Sequence, residues 1–162
     1  MHEFKVVTAK PLSGALRYSR ADRAFAFRLR DRGELESLVG RGGVTSLVAD
    51  TLQLEVAVET GRALFVWGYW PAESWRPERL ELPDSVGGRV TVAVDGPPLE
   101  EGVSVAITGT GWETLFDQEA GLVRVVRDRQ LVEKVVEIAD GVHLGLSGAA
   151  LNSFWLAPEI TD

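Results

Sequence analysis

Leu52-Gln53-Leu54-Glu55-Val56-Ala57-Val58-Glu59-Thr60-Gly61-Arg62-Ala63-Leu64-Phe65-Val66-Trp67-Gly68-Tyr69 decides the fold. Its first seven residues alternate apolar and polar, the period of a strand buried on one face. Glu59-Thr60-Gly61 then turns the chain, with Gly61 able to take the positive φ of a three-residue hairpin loop with a bulge. Pairing Val58 with Arg62 sets Val56 opposite Leu64 and Leu54 opposite Val66, an aliphatic face that must be core. The same register sets Glu55 opposite Phe65, Gln53 opposite Trp67 and Thr51 opposite Tyr69. A slip of one residue would mix the two sets, so the register is well specified.

The same alternation recurs outward from this hairpin. Phe25, Phe27 and Leu29 share one face while Arg28 and Arg30 take the other. Val90 to Val94 and Val103 to Ile107 repeat the pattern around the turn-rich Asp95 to Gly102. Trp112 to Phe116 and Leu122 to Val126 flank a further hairpin turn. Many short strands with turns between them predict a mainly β fold: an antiparallel sandwich or partly open barrel of hairpins and meanders, with at most one or two short helices. Gly33 to Gly40 reads as a short helix bounded by glycines. Residues 131–139 fit two patterns. Leu131, Val132, Val135, Val136, Ile138 and Ala139 recur at helical spacing, with Asp128 as N-cap and Gly141 beyond the end. Their valine content and the hairpin signal Ala139-Asp140-Gly141-Val142 favour strands, continuing through Val142 to Leu146 and Ala149 to Leu156 as a meander.

The 162 residues suit one domain, 1–162, and 45% apolar with 25% charged residues suits a folded chain. With no cysteine, disulfides, thiolate catalysis and thiolate metal sites are excluded together. The first residues lack the apolar run of a signal peptide, and no stretch approaches the length that spans a bilayer, so a cytoplasmic address away from membranes is expected. The net charge of −7 is uneven: residues 17–41 carry seven arginines against four acids, residues 42–162 nineteen acids against eight bases. An acidic majority argues against nucleic acid. It suits plain solubility, or electrostatic attraction of a protein partner with a basic surface.

Catalytic and metal constellations are absent from the pattern. Nucleophilic catalysis needs a hydroxyl or thiol beside a base, yet the two histidines are His2, at a chain end where disorder is common, and His143, inside a strand. Gly145-Leu146-Ser147-Gly148-Ala149 misses the last glycine of a nucleophile elbow and reads as a tight turn. Asp117-Gln118-Glu119 lacks the remaining ligands of a calcium loop. Gly40-Arg41-Gly42-Gly43 offers amides that could cradle an anion, without the ending of a P-loop. No cofactor or metal is expected.

Phe65 to Trp75 holds three of the five tryptophans together with Phe65 and Tyr69. Phe65, Trp67 and Tyr69 share one face with Gln53 and Glu55, and Trp70 and Trp75 follow in a loop where their rings can stand beside it. Two readings fit. The rings pack beneath another segment as a second core, or they form a recognition platform. The leading functional expectation is therefore a non-catalytic binding protein whose partner carries a basic surface, a description that toxin-neutralising immunity proteins meet as a class. A small-ligand site in a sandwich or barrel, lined by the same residues, is the alternative. A hydrolase built on the carboxylates of Glu55 and Glu73 is weaker, and self-association into a homodimer is also open.

Overall fold

The computed structural model describes residues 2–107 and 111–162. Its strands in chain order are β1 (Glu3–Thr8), β2 (Gly14–Ser19), β3 (Ala24–Leu29), β4 (Val44–Ala49), β5 (Leu52–Ala57), β6 (Ala63–Tyr69), β7 (Arg76–Pro77) and β8 (Ser85–Ala93). They continue with β9 (Val105–Ala106), β10 (Glu113–Asp117), β11 (Leu122–Val126), β12 (Lys134–Ala139), β13 (Val142–Ser147), β14 (Ala150–Leu156) and β15 (Glu159–Thr161). One helix, α1 (Arg32–Val39), lies between β3 and β4, and a 3-10 turn covers Ala72–Ser74.

The hairpin of residues 52–69 forms, with one change at its tip. Gln53 opposes Trp67, Leu54 opposes Val66 and Glu55 opposes Phe65, as the alternation requires. Beyond Glu55 the register shifts and Val56 meets Ala63, not Leu64. The Ala57 amide donates to Arg62 O at 2.9 Å and the Gly61 amide to Ala57 O at 2.8 Å, so Ala57, not Val58, stands opposite Arg62. The reason lies outside the hairpin. Gly61, at φ +75°, accepts from the Val92 amide at 2.8 Å, which ties the tip to β8 of the opposite sheet. A bulge absorbs the extra residue and lets both Ala63 and Leu64 be buried.

Two sheets result. The larger runs β1-β8-β12-β13-β14-β11-β10-β7 and the smaller β15-β2-β3-β6-β5-β4-β9. Neither closes into a barrel. Hairpins fill the middle of each sheet, while β7/β10, β8/β12, β15/β2 and β9/β4 pair in parallel, so both sheets are mixed. The core lies between them. Leu47, Leu54, Val56 and Val66 of the smaller sheet meet Val136, Ile138, Leu144 and Phe154 of the larger, all fully buried. Each such side chain withdrawn from water contributes about 1.5–3 kcal/mol.

The glycine-bounded helix is present. Asp31 caps it by accepting from the Gly33 amide at 2.9 Å, and Gly40, at φ +67°, closes it. None of its residues is fully buried, but Leu35, Leu38 and Val39 lean on the core. Residues 134–139 are strand, and β12-β13-β14 is the expected meander. The helical spacing there has a physical source. Val136 and Ile138 face the main core, while Val135 belongs to a second cluster with Leu80, Leu115, Leu122, Val126 and Trp155 on the back of the same sheet. A strand apolar on both faces loses its period of two.

That second cluster is roofed by residues 78–84, which cross the back of the larger sheet from β7 to β8. Asp117 anchors the crossing by accepting from the Leu80 amide at 2.8 Å, and from Ala120 at 3.0 Å in its own turn. Beside it Glu133 accepts from Arg124 at 3.1 Å, Trp155 Nε1 at 3.1 Å and Asn152 at 2.6 Å. No helix among the described residues is long and apolar enough to cross a membrane.

Candidate recognition site

Among the described residues no such roof covers the back of β5 and β6. On the back of β5 and β6, Phe65 is half-buried while Trp67 and Tyr69 are 37% and 48% exposed. Their faces follow from the pleat: Leu54 and Val66 point inward, so Glu55, Phe65 and Trp67 point out. The rings are therefore on the side opposite the aliphatic core, as the alternation of residues 52–69 requires.

Glu55 is the polar centre of this face. One of its oxygens, Oε1, accepts from Ser46 Oγ at 2.9 Å and from Trp67 Nε1 at 3.2 Å. Oε2 accepts nothing from the described residues. Ser46 arrives because β4 and β5 form a hairpin in which it opposes Glu55. A groove of about 310 Å³ opens here, lined by Thr45, Ser46, Gln53, Glu55, Trp67 and Ser104 among others. Two donors hold the carboxylate in one orientation and fix the indole edge against it, leaving the indole face and one carboxylate oxygen to a visitor. That pairing suits a cation, which gains from both the ring quadrupole and the negative charge.

At the other end of the ring column, Tyr69 O accepts from Thr51 Oγ1. Its side chain and the carboxylate of Glu73 hold the Arg23 guanidinium above its ordinary pKa, Tyr69 being the larger influence. Arg23 and Glu73 form an ion pair at 3.1 Å. Glu73 is thus engaged outside the groove that holds Glu55, and the two carboxylates line no common cavity among the described residues.

Trp70 and Trp75 do not join the exposed rings. Trp70 turns between the sheets, where Nε1 donates to Thr114 Oγ1 at 2.8 Å and its carbonyl accepts from Tyr18 OH at 2.7 Å. Trp75 packs against Tyr18 at 4.6 Å and Phe116 at 5.4 Å between ring centroids. Pro71 and the 3-10 turn direct the chain inward, and the space at this end of the sandwich takes the large rings. Burial also raises the pKa of Tyr18.

Beyond β6, around β3, lies a separate basic patch. Ala24 opposes Tyr69 and Phe25 opposes Gly68, and the pairing of the two strands ends there. Phe27 stacks on Phe65 at 5.1 Å. Arg17, Arg28, Arg30 and Arg32 line a groove of about 570 Å³ there. Only Arg17 approaches a carboxylate among the described residues, Glu159 at 4.0 Å.

The remaining polar features are structural. His2 is buried: Nδ1 accepts from the Asp95 amide at 3.0 Å and Nε2 donates to Ala106 O at 3.1 Å, which ties β1 to the smaller sheet. His143 is also buried, donating from Nδ1 to Trp155 O at 3.1 Å with Nε2 3.4 Å from Glu137. One amide of Gly40 to Gly43 meets an anion, and it is the chain's own: the Arg41 amide donates to Glu59 at 3.2 Å. Among the described residues no group of three or more ligating side chains could hold a metal ion. No family model and no curated protein matches this chain.

Of the residues singled out from sequence, Gln53, Glu55, Phe65, Trp67 and Tyr69 share one face, and Trp70 and Trp75 lie apart. Ser46, Thr45 and Ser104 were not anticipated. A pairing of Val44 to Ala49 with the next strand would have found Ser46. Nothing local points to Ser104, which reaches the groove through the parallel pairing of β9 with β4.

Proposed function

We propose that this is a non-catalytic binding protein that receives a cationic side chain, arginine or lysine of a protein partner, on the back of its smaller sheet. One observation carries the reading: Glu55 is half-buried and oriented through one oxygen by Ser46 and by Trp67, a tryptophan that is itself 37% exposed, while its other oxygen accepts nothing from the described residues. The acidic balance of residues 42–162 supports it by drawing basic partners inward. A small ligand is the second reading, favoured by the polar residues Gln53, Glu55 and Ser104 that line the same groove beside Trp67.

The test is a titration with a short arginine-rich peptide and its uncharged citrulline counterpart, following the Trp67 indole N–H signal, assigned through Trp67→Phe. The arginine peptide shifts that signal and the citrulline peptide does not. Glu55→Gln weakens binding by about tenfold or more, the worth of a charge-assisted contact of roughly 1.5–3 kcal/mol. Equal binding of both peptides, or of wild type and Glu55→Gln, rejects the reading. A neutral polyol that shifts the signal where the arginine peptide fails favours the small ligand.

A further inference from the structure

We infer that the basic groove on β2 and β3 is a second recognition site, which takes an extended peptide segment carrying carboxylates at alternate positions. It is independent of Glu55, since the two grooves share no lining residue.

The β2–β3 hairpin sets the spacing. Arg17 opposes Ala26 and Arg28 opposes Ala15, so Arg17 and Arg28 are diagonal neighbours on one face. Each of the two meets only an alanine across the ladder. The Arg30 amide donates to Ser13 O at 3.2 Å, which continues the ladder one pair beyond Leu29. Arg30 therefore follows Arg28 on the same side, while Phe27 and Leu29 pack against the core. Arg32, the first residue of α1, completes the groove.

The charge of this groove is unmatched within the chain. The protein carries a net charge of −7, yet residues 17–41 hold seven arginines against four acids. Among the described residues Arg28, Arg30 and Arg32 have no carboxylate within ion-pair distance, and Arg17 reaches Glu159 only at 4.0 Å, both side chains being well exposed. Asp31, between Arg30 and Arg32, is turned to the Gly33 amide as the cap of α1. Charges closer than a Debye length of about 8 Å repel one another, so the fold holds these arginines together without a counter-ion of its own. A visiting anion supplies one, and the guanidinium fork fits a carboxylate with two parallel hydrogen bonds.

The shape of the groove selects an extended chain. Every residue from Ala26 to Arg30 lines it, so it runs along β3, and its volume of about 570 Å³ exceeds the needs of a single small ion. Side chains on one side of an extended segment recur about every 6.6 Å, which is the step from Arg28 to Arg30. Acids at alternate positions of a peptide laid along β3 meet the arginines in register. A long nucleic-acid strand fits less well, because outside the groove it meets residues 42–162, with nineteen acids against eight bases.

Fluorescence anisotropy of a short labelled peptide with glutamate at alternate positions tests this. It is run beside the glutamine counterpart, a peptide with the same glutamates in one block, and a single-stranded oligonucleotide of equal charge. The alternating glutamate peptide binds, the glutamine peptide does not, and the block peptide binds several-fold more weakly. Arg28→Gln and Arg30→Gln each weaken binding by about three- to tenfold, with a melting temperature equal to wild type or above it. Should either glutamine variant melt early, Arg28→Lys carries the test: it keeps the charge, loses the fork and binds more weakly than wild type. Glu55→Gln binds the acidic peptide as wild type does. Equal binding of the glutamate and glutamine peptides, equal binding of the alternating and block peptides, or affinity unchanged in the arginine variants overturns the site. Tighter binding of the oligonucleotide than of the peptide overturns the choice of partner.

Discussion

Removing the Glu133 carboxylate should be among the most damaging single changes in this protein. The side chain is 5% exposed and that of Arg124 is 12% exposed. Glu133 accepts from Arg124, Trp155 Nε1 and Asn152, and the Arg124 guanidinium also lies 4.5 Å from the centre of the Trp155 ring. Glu133→Ala strands a guanidinium whose Nε is already without a partner among the described residues, together with the Trp155 N–H, while the Asn152 amide keeps its bond to Asp128 O. Breaking one side of a buried pair costs about 3–5 kcal/mol. The slight exposure of Arg124 and its cation–π contact soften that, so about 3–4 kcal/mol is expected. For a chain of this size each 1 kcal/mol moves the melting temperature by about 2–4 °C, so the drop is roughly 6–16 °C. Urea unfolding of Glu133→Ala, Arg124→Met and the double variant apportions the loss. The double variant should recover much of it, because the stranded charge is gone. A loss below about 1 kcal/mol for Glu133→Ala, or strict additivity in the double variant, would refute the account of this network.

Gly61→Ala should cost at least about 2 kcal/mol. The residue has φ +75°, and a Cβ there would sit 2.5 Å from Val92 O; a denaturation midpoint equal to wild type would show that the hairpin tip is not stapled to β8. For Asp117 the backbone amides of Leu80, chiefly, and Ala120 hold the carboxyl below its ordinary value of 3.8. A depressed folded value means that its stabilisation is complete above that ordinary value and lost as pH falls through the folded one. The stability gap between wild type and Asp117→Asn should therefore narrow below pH 3.8, read by urea melts across the acid range. A gap constant with pH would contradict this.

Much of the fold was legible because it is written in local alternation. Leu54 against Val66 and Glu55 against Phe65 follow from a period of two and a glycine turn alone. Where a second layer intervenes, the pattern fades. Val135 is covered by Leu80 from a segment some fifty residues earlier, so β12 shows apolar residues on both faces and mimics helical spacing. The tip register likewise depends on Val92, which no reading of residues 52–69 contains. The candidate site divides along the same line. Glu55 and Trp67 are diagonal neighbours within one hairpin and could be found together. Trp70 and Trp75 lie beyond the last paired residue, where only the volume between the sheets decides which way an indole turns. His2 draws both of its partners from residues about a hundred positions away, Asp95 and Ala106.

The unequal covering of the two sheets divides the surface by tolerance. Behind the larger sheet, where residues 78–84 lie across it, a change of side chain disturbs internal packing and registers as lost stability. Behind the smaller one, a change at Ala26, Gln53 or Tyr69 meets solvent and leaves folding nearly untouched. A saturation scan read for abundance alone would show the first region and pass over the second. Scoring the same library for association would reverse that contrast, and positions silent in one screen and loud in the other would outline the binding face directly.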